Sequence, residues 1–346
     1  MGTLSCRGES LAMRRMNKRG VFYTAISLLI VSILLLTFRP KPGEVQTEIL
    51  EVEQKRLEIA NDLVENINNA FIPRLVTVSA YRALQAMILY MNYSGTYDAD
   101  ELNGQFTEVL MTGNLTDNGT TENLDDFLGS KIMGNYTLLR NLRMLEQSVA
   151  NNLNLNLEFN ETSYFGKLYQ SKESGERYVL VNLTLHYFLN AFIAQWNITK
   201  TWKVQVPIIG LPDPLLMEKT HNKIDINFAD YEINYSKDWT SLFRFIDDID
   251  FLKEENAPNF VMRMTGDYLN SECCGYESAI NPNFFNFSNE YNLTYIDWCF
   301  YSTRCAPYIP NSSLYEITNI TSHSKNVKFY GFKLDAYHYA KFDCSN

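Results

Sequence analysis

The sequence is poor in the features that mark nucleic-acid binders and most enzymes. Basic residues are in deficit, 30 Lys and Arg against 40 Asp and Glu in 346 residues, which leaves no basic face for a phosphate backbone and excludes a nucleic-acid partner. Histidine is scarce, and none of His186, His221, His323 and His338 lies in an HExxH, a Cys/His ligand cluster or beside a nucleophile motif. No GxSxG, GxxxxGKS/T or GxGxxG occurs. There is no CxxC and no His pair at ligand spacing, so no metal is expected, nor any other cofactor. Paired carboxylates of the kind a glycosidase requires do occur, as in Asp247, Asp248 and Asp250, but acids within one element form a solvated face more often than a cleft. The chain reads as a non-enzyme. Only one long apolar run exists, which excludes a polytopic membrane protein.

That run is residues 21–38, VFYTAISLLIVSILLLTF, free of charge, Gly and Pro. At about 1.5 Å per residue it nearly spans a hydrocarbon core of about 30 Å. Before it stand Arg7, Arg14, Arg15, Lys18 and Arg19 with a single Glu9; after it come Arg39 and Lys41, then quickly Glu44, Glu48, Glu51 and Glu53. The positive-inside rule places the N-terminus in the cytoplasm and everything beyond about residue 40 outside, as a single-pass protein of the cell membrane with the lipid bilayer as its first partner. A cleaved secretory signal is the competing reading, but Phe38-Arg39-Pro40 follows the run where small residues would be needed.

Two further signals agree with an outer location. Twelve Asn-x-Ser/Thr sequons lie beyond the apolar run, at Asn92, Asn114, Asn118, Asn135, Asn160, Asn182, Asn197, Asn234, Asn286, Asn292, Asn311 and Asn319. Composition alone gives about four or five, so the excess points to a glycosylated surface. Five of the six cysteines, Cys273, Cys274, Cys299, Cys305 and Cys344, cluster in the last quarter and read as disulfides stapling a loop-rich region. Adjacent Cys273 and Cys274 are able to bridge each other, although outward bonds to Cys299, Cys305 or Cys344 are the simpler expectation.

The pattern along the chain predicts an α+β fold. After the basic leader (1–20) and the transmembrane helix (21–38), apolar residues recur every three or four positions over 44–91, a long amphipathic helix with a kink at Pro73. Residues 92–127 read as a polar excursion with one helical turn at FTEVLM, and a second helix covers 125–149. The period then changes to two. Leu153, Leu155, Leu157 and Phe159, then Val179, Val181, Leu183, Leu185 and Tyr187, then Trp196, Ile198, Trp202, Val204 and Val206 alternate with polar residues, predicting an antiparallel sheet laid on the long helix within a glycosylated domain over 92–257. A helix is expected around 239–252 and a strand over 327–334, the latter within a disulfide-bonded C-terminal cap, 258–346, rich in Tyr, Phe and Asn. Phe284, Phe285, Phe287, Tyr291 and Tyr295 suit either sugar stacking or a small core under disulfides.

Three places carry a family resemblance. Asn17-Lys18-Arg19-Gly20 followed by Val21-Phe22-Tyr23-Thr24 resembles a type IV prepilin leader. GLPDPLL (210–216), and the set FVMRMTGDY, CCGYES and FKLDAYH, are similar to segments of large archaeal pilin-like, membrane-anchored surface proteins of uncharacterised role. The resemblance implies a leader peptidase that reads Lys18, Arg19, Gly20 and Val21 and cuts after Gly20. It also implies pilin-like neighbours for the apolar helix. Ala25 stands where many pilins hold a filament-registering Glu, Pro40 and Pro42 follow the membrane segment, and the outer domain is large, which favours a minor pilin or pseudopilin. The expected role is structural or interactive; the alternative is an extracytoplasmic adhesin or sensor module held by a signal anchor, with surface glycans as ligands.

Overall fold

The computed structural model describes residues 45–117, 119–221, 228, 245–246, 251–268, 271, 273–280, 294–301, 314–317, 320–321, 328–329 and 332–342. The chain divides into two units, Met1–Lys55 and Arg56–Asn346. The leader, the apolar run 21–38 and the acidic run at Asp247 lie outside the described residues. Among the described residues no helix is long and apolar enough to cross a membrane. The fold is mixed α+β with antiparallel sheets.

Helix α1 (Val45–Asn66) passes through a π-helical turn (Ile67–Phe71) into α2 (Ile72–Ser94). No glycine interrupts this stretch. Arg56, Leu57 and Glu58 are exposed, Ala60 is buried, and by α2 most of the circumference is covered. Small residues Ser79, Ala80, Ala83 and Ala86 in α2 let neighbouring elements approach closely. The expected kink at Pro73 is instead a change of hydrogen-bond register. The Ile72 N–H donates to the Ile67 carbonyl, and Pro73 falls in the first turn of α2, where its missing N–H is tolerated.

The stretch expected as a polar excursion contains a well-packed helix, α3 (Leu102–Thr112), which buries Leu102, Phe106, Val109 and Leu110 and stops at Gly113 with φ 79°. The polar flanks, DADELNG and TGNLTDNG, masked its short apolar face. A small hairpin, β1 (Asn114–Asp117) and β2 (Thr120–Asn123), follows. The single helix expected over 125–149 is split into α4 (Leu124–Phe127), a 3-10 turn (Gly134–Tyr136) and α5 (Leu138–Leu153). Gly129 and Gly134, both at positive φ, break it, and the Asp125 carboxylate closes the loop by accepting from the N–H groups of Met133 and Gly134.

The main sheet is an antiparallel meander of β3 (Asn156–Tyr169), β4 (Tyr178–Asn190) and β5 (Gln195–Pro207). Its alternation is as the sequence reads, except that Leu153 ends α5: Leu155, Leu157, Phe159, the odd residues of β4, and Trp202, Val204 and Val206 are buried, with Trp196 and Ile198 half-buried. Register shifts between Phe159 and Tyr164, and the inward parity of β3 changes with it, so that Leu168 faces in and Phe165 stands 63 % exposed. Gly166 is pressed against α3, where an added Cβ would lie 2.4 Å from Thr107 Oγ1. On the outer face Thr184 pairs with Thr201 and His186 with Asn197.

Beyond the sheet come α6 (Pro214–Thr220), β6 (Leu252–Lys253), α7 (Phe260–Thr265), β7 (Tyr276–Glu277), α8 (Asp297–Tyr301), β8 (Tyr315–Ile317), β9 (Ile320–Thr321), β10 (Lys328–Phe329), β11 (Phe332–Leu334) and α9 (Ala336–Lys341). The strand expected over 327–334 is two strands with different partners, β10 on β9 and β11 on β8. Leu252 lies in a strand that pairs with β7 and so ends any helix before it. Two apolar cores result. The larger lies between the sheet and the helices, with Phe228, Phe251, Phe260, Met264 and Tyr276 joining it from the C-terminal half. The smaller gathers Leu215, Phe245, Leu252, Trp298, Phe332, Leu334 and Phe342.

Candidate functional site

Three capped helix starts frame a buried ion cluster. Asp213 caps α6, accepting from Leu216 N at 2.9 Å; Asn259 caps α7, accepting from Met262 N; Asp335 caps α9, accepting from the N–H groups of Tyr337 and His338. Each cap is a local Asp or Asn signal in the sequence. The fold gives two of them a second role: Asp213 meets Arg263, fully buried one turn into α7, and Asp335 meets His338.

The Arg263 guanidinium is 2.6 Å from Asp297 Oδ2 and 3.2 Å from Asp213 Oδ2, donates through Nε to the Pro258 carbonyl, and donates through Nη2 to the Tyr276 carbonyl. Its plane lies over the Tyr276 ring at 4.1 Å, while the Tyr276 hydroxyl donates to Asp213 at 2.9 Å. Asp297 also accepts from Ser278 Oγ and from Trp298 N. Burial alone would lower the Arg263 pKa, but Asp213 and Asp297 hold it above its usual value; burial raises that of Asp297 despite Arg263.

A second set of charges adjoins the first through consecutive residues of β7. Glu277 accepts from His338 Nε2 at 3.0 Å and from Trp298 Nε1 at 3.4 Å, and the other imidazole nitrogen, Nδ1, is 2.5 Å from Asp335 Oδ2. His338 is 1 % exposed. Burial opposes its charge, but the carboxylates of Glu277 and Asp335 raise its pKa to about 9. Burial likewise pushes Asp335 up, and the His338 interaction more than offsets it, so that carboxyl sits below its usual value. At the rim, Glu254 pairs with Lys341 and accepts from the Tyr337 hydroxyl at 3.0 Å.

Every segment singled out in the outer domain for its resemblance feeds this cluster: Asp213 from GLPDPLL, Arg263 from FVMRMTGDY, Tyr276, Glu277 and Ser278 from CCGYES, and Asp335 and His338 from FKLDAYH. The chemistry available to it is cohesive. Its arginine, histidine and carboxylates are buried against one another and exchange hydrogen bonds, an arrangement that fixes the relative positions of α6, α7, β7, α8 and α9. Sequence reasoning missed Asp213, Arg263, Glu277, Asp297 and Asp335. The available signal was a lone Arg inside the apolar run FVMRM, a charge that burial obliges to find partners.

The other candidates are dispersed. His186 is half-buried on the outer sheet face, His221 is exposed with its ring near the Asn92 carbonyl at 3.3 Å, and His323 lies outside the described residues. Among the described residues no group of His, Cys, Asp or Glu is arranged to hold a metal ion. Cys273 and Cys274 bridge each other rather than bonding outward. Cys299 is also disulfide-bonded; Cys305 and Cys344 lie outside the described residues. Sequons Asn135, Asn160 and Asn197 are exposed; Asn92, Asn114 and Asn182 are half-buried; Asn118, Asn234, Asn286, Asn292, Asn311 and Asn319, with Lys18, Arg19, Gly20 and Val21, lie outside the described residues.

No family model, no curated protein and no solved structure matches this chain. The class it defines rests on its own geometry: an α+β protein whose C-terminal elements are tied together by a buried ion cluster.

Proposed function

We propose that the chain is a single-pass membrane-anchored surface protein, extracytoplasmic beyond about residue 40, that acts as a pilin-like structural or interaction subunit and not as an enzyme. The observation that carries this reading is the helical spine. The apolar run 21–38 is followed after a short interval by helix from Val45, and that helix emerges polar and exposed at Arg56–Glu58 before becoming the central core element as α2. The ion cluster supports a cohesive role, because its charged groups are spent on one another.

An adhesin or sensor module is the second reading, favoured by the β4–β5 hairpin apex, where Phe192 is 73 % and Ile193 48 % exposed. Mass spectrometry of the N-terminus of the membrane-extracted native protein separates the two. A mature chain beginning at Val21 supports prepilin processing and assembly; a membrane-bound chain that keeps Asn17–Gly20 leaves a signal anchor and the binding-module reading. Recovery of the full chain in the soluble cytoplasmic fraction would sink both.

A further inference from the structure

We propose that Cys273–Cys274 is a two-electron redox site, opened by an exported dithiol reductant, whose covalent state sets the hold of the buried ion cluster on the β7 segment. The two cysteines are adjacent and bonded, so the bridge closes a small ring around one peptide unit. That ring holds Cys274 at φ 65°, in the left-handed region that a non-glycine residue avoids at a cost of about 1–2 kcal/mol. Cys273 is half-buried and Cys274 is buried, whereas the other described disulfide cysteine, Cys299, has no exposed surface. A thiolate therefore reaches the Cys273 sulfur first.

The step balances without a further reactant. One thiolate of the reductant attacks Cys273 Sγ, the bond to Cys274 breaks, and Cys274 leaves as a thiolate and takes up a proton. The second thiol of the reductant then attacks its own sulfur in the mixed disulfide and releases Cys273. The reductant ends as a disulfide, and Cys273 and Cys274 end as two thiols.

The consequence follows from the next four residues. Once the ring is open, nothing covalent keeps Cys274 at positive φ, and relaxation there pulls on Gly275. Gly275 has no slack: its carbonyl accepts from Glu254 N at 3.0 Å, and a Cβ at this position would lie 2.0 Å from the Ala257 carbonyl oxygen. Behind it, β7 is held to β6 by only two residue pairs, Leu252 with Glu277 and Lys253 with Tyr276. Tyr276, Glu277 and Ser278 are the very groups that meet Asp213, His338 and Asp297. Movement at the sulfurs is thus delivered to both halves of the ion cluster. That the reductant is an exported one rests on the extracytoplasmic reading above, whereas the coupling of the sulfurs to the ion cluster requires neither export nor filament assembly.

The full-length protein, equilibrated under native conditions with a graded series of dithiothreitol, is alkylated with N-ethylmaleimide and mapped by mass spectrometry while tryptophan emission is read on the same samples. Trp298, buried and hydrogen-bonded to Glu277, is the reporter, and a W298F variant identifies its share of the emission. The expected result is labelling of Cys273 and Cys274 together at about tenfold less dithiothreitol than Cys299 requires, with a Trp298 change at the same midpoint. The variant C273S/C274G, in which glycine accepts positive φ without a bridge, is expected to lose that reductant-dependent change. Labelling of Cys273 and Cys274 without reductant, simultaneous opening of Cys299, or reduction with no Trp298 response would each overturn the proposal.

Discussion

The indole Nε1 of Trp202 donates a 2.7 Å hydrogen bond to the main-chain carbonyl of Asn68. In the π-helical register that carbonyl is the acceptor assigned to residue 73, and residue 73 is a proline with no N–H to give. The sheet therefore supplies the donor that the helix lacks, and a break in the spine becomes the point at which β5 is fastened to it.

Replacing that indole tests the relationship. Trp202→Phe keeps most of the buried ring but leaves the Asn68 carbonyl with only the 3.5 Å contact from Lys200 Nζ, and a loss of about 1 kcal/mol is expected in urea denaturation. In a Pro73→Ala background the new amide competes for the same carbonyl, so W202F costs less there. Equal costs in the two backgrounds would show that Pro73 and Trp202 are not coupled.

Arg263 is fully buried between Asp213 and Asp297, and removing it alone strands two carboxylates. Arg263→Met is expected to cost about 3–5 kcal/mol. The triple variant R263M/D213N/D297N removes the charges together and keeps an Asn able to cap α6, so it should recover most of that loss. If the triple variant were as unstable as the single one, shape and not charge would govern the site.

His338 makes stability pH-dependent in a defined direction. Its folded pKa, about 9, lies above its ordinary 6.5, so the stabilisation is complete below about pH 6.5 and is lost as pH rises through 9. The groups facing it are Asp335 and Glu277, with Lys341 4.0 Å from Glu277 on the outer side. The shift corresponds to about 3 kcal/mol at most. Thermal melts at pH 6 and pH 9.5 should show a larger drop for the native chain than for His338→Gln, the difference isolating this residue from other groups that titrate in alkali. Parallel curves for the two proteins would remove the assignment.

Gly275 is required for space, not for turn conformation, because its φ is not positive and the obstruction is backbone. Gly275→Ala would bring a methyl against the carbonyls of Ala257 and Glu254 and should lower the melting temperature by several degrees or prevent folding. Gly119→Ala is the control for conformation alone: it sits at φ 79° with open space around its Cβ position and is expected to cost only about 1 kcal/mol. A reversed order of the two would contradict the contact at Ala257.

The local rules were legible. The 3.6 and 2.0 periods of the apolar residues marked the spine and all three long strands, because those periods are set by backbone geometry that each segment carries within itself. The buried faces of β4 and β5 follow directly from that alternation. Where glycines stood inside an apolar pattern, as at Gly129 and Gly134, or where a short apolar face was flanked by polar residues, as in α3, the period was too brief to fix an element, and the boundaries moved.

What the sequence by itself determined is the long helix, the alternation of the three long strands and the charge asymmetry around the apolar run. The tertiary structure alone decided who meets whom. Arg263 reaches Asp213 across 50 residues and Asp297 across 34, and His338 reaches Glu277 across 61. No periodicity encodes such pairings. They arise because burying a charge in apolar surroundings is tolerable only beside an opposite one, and only the folded chain brings the two together.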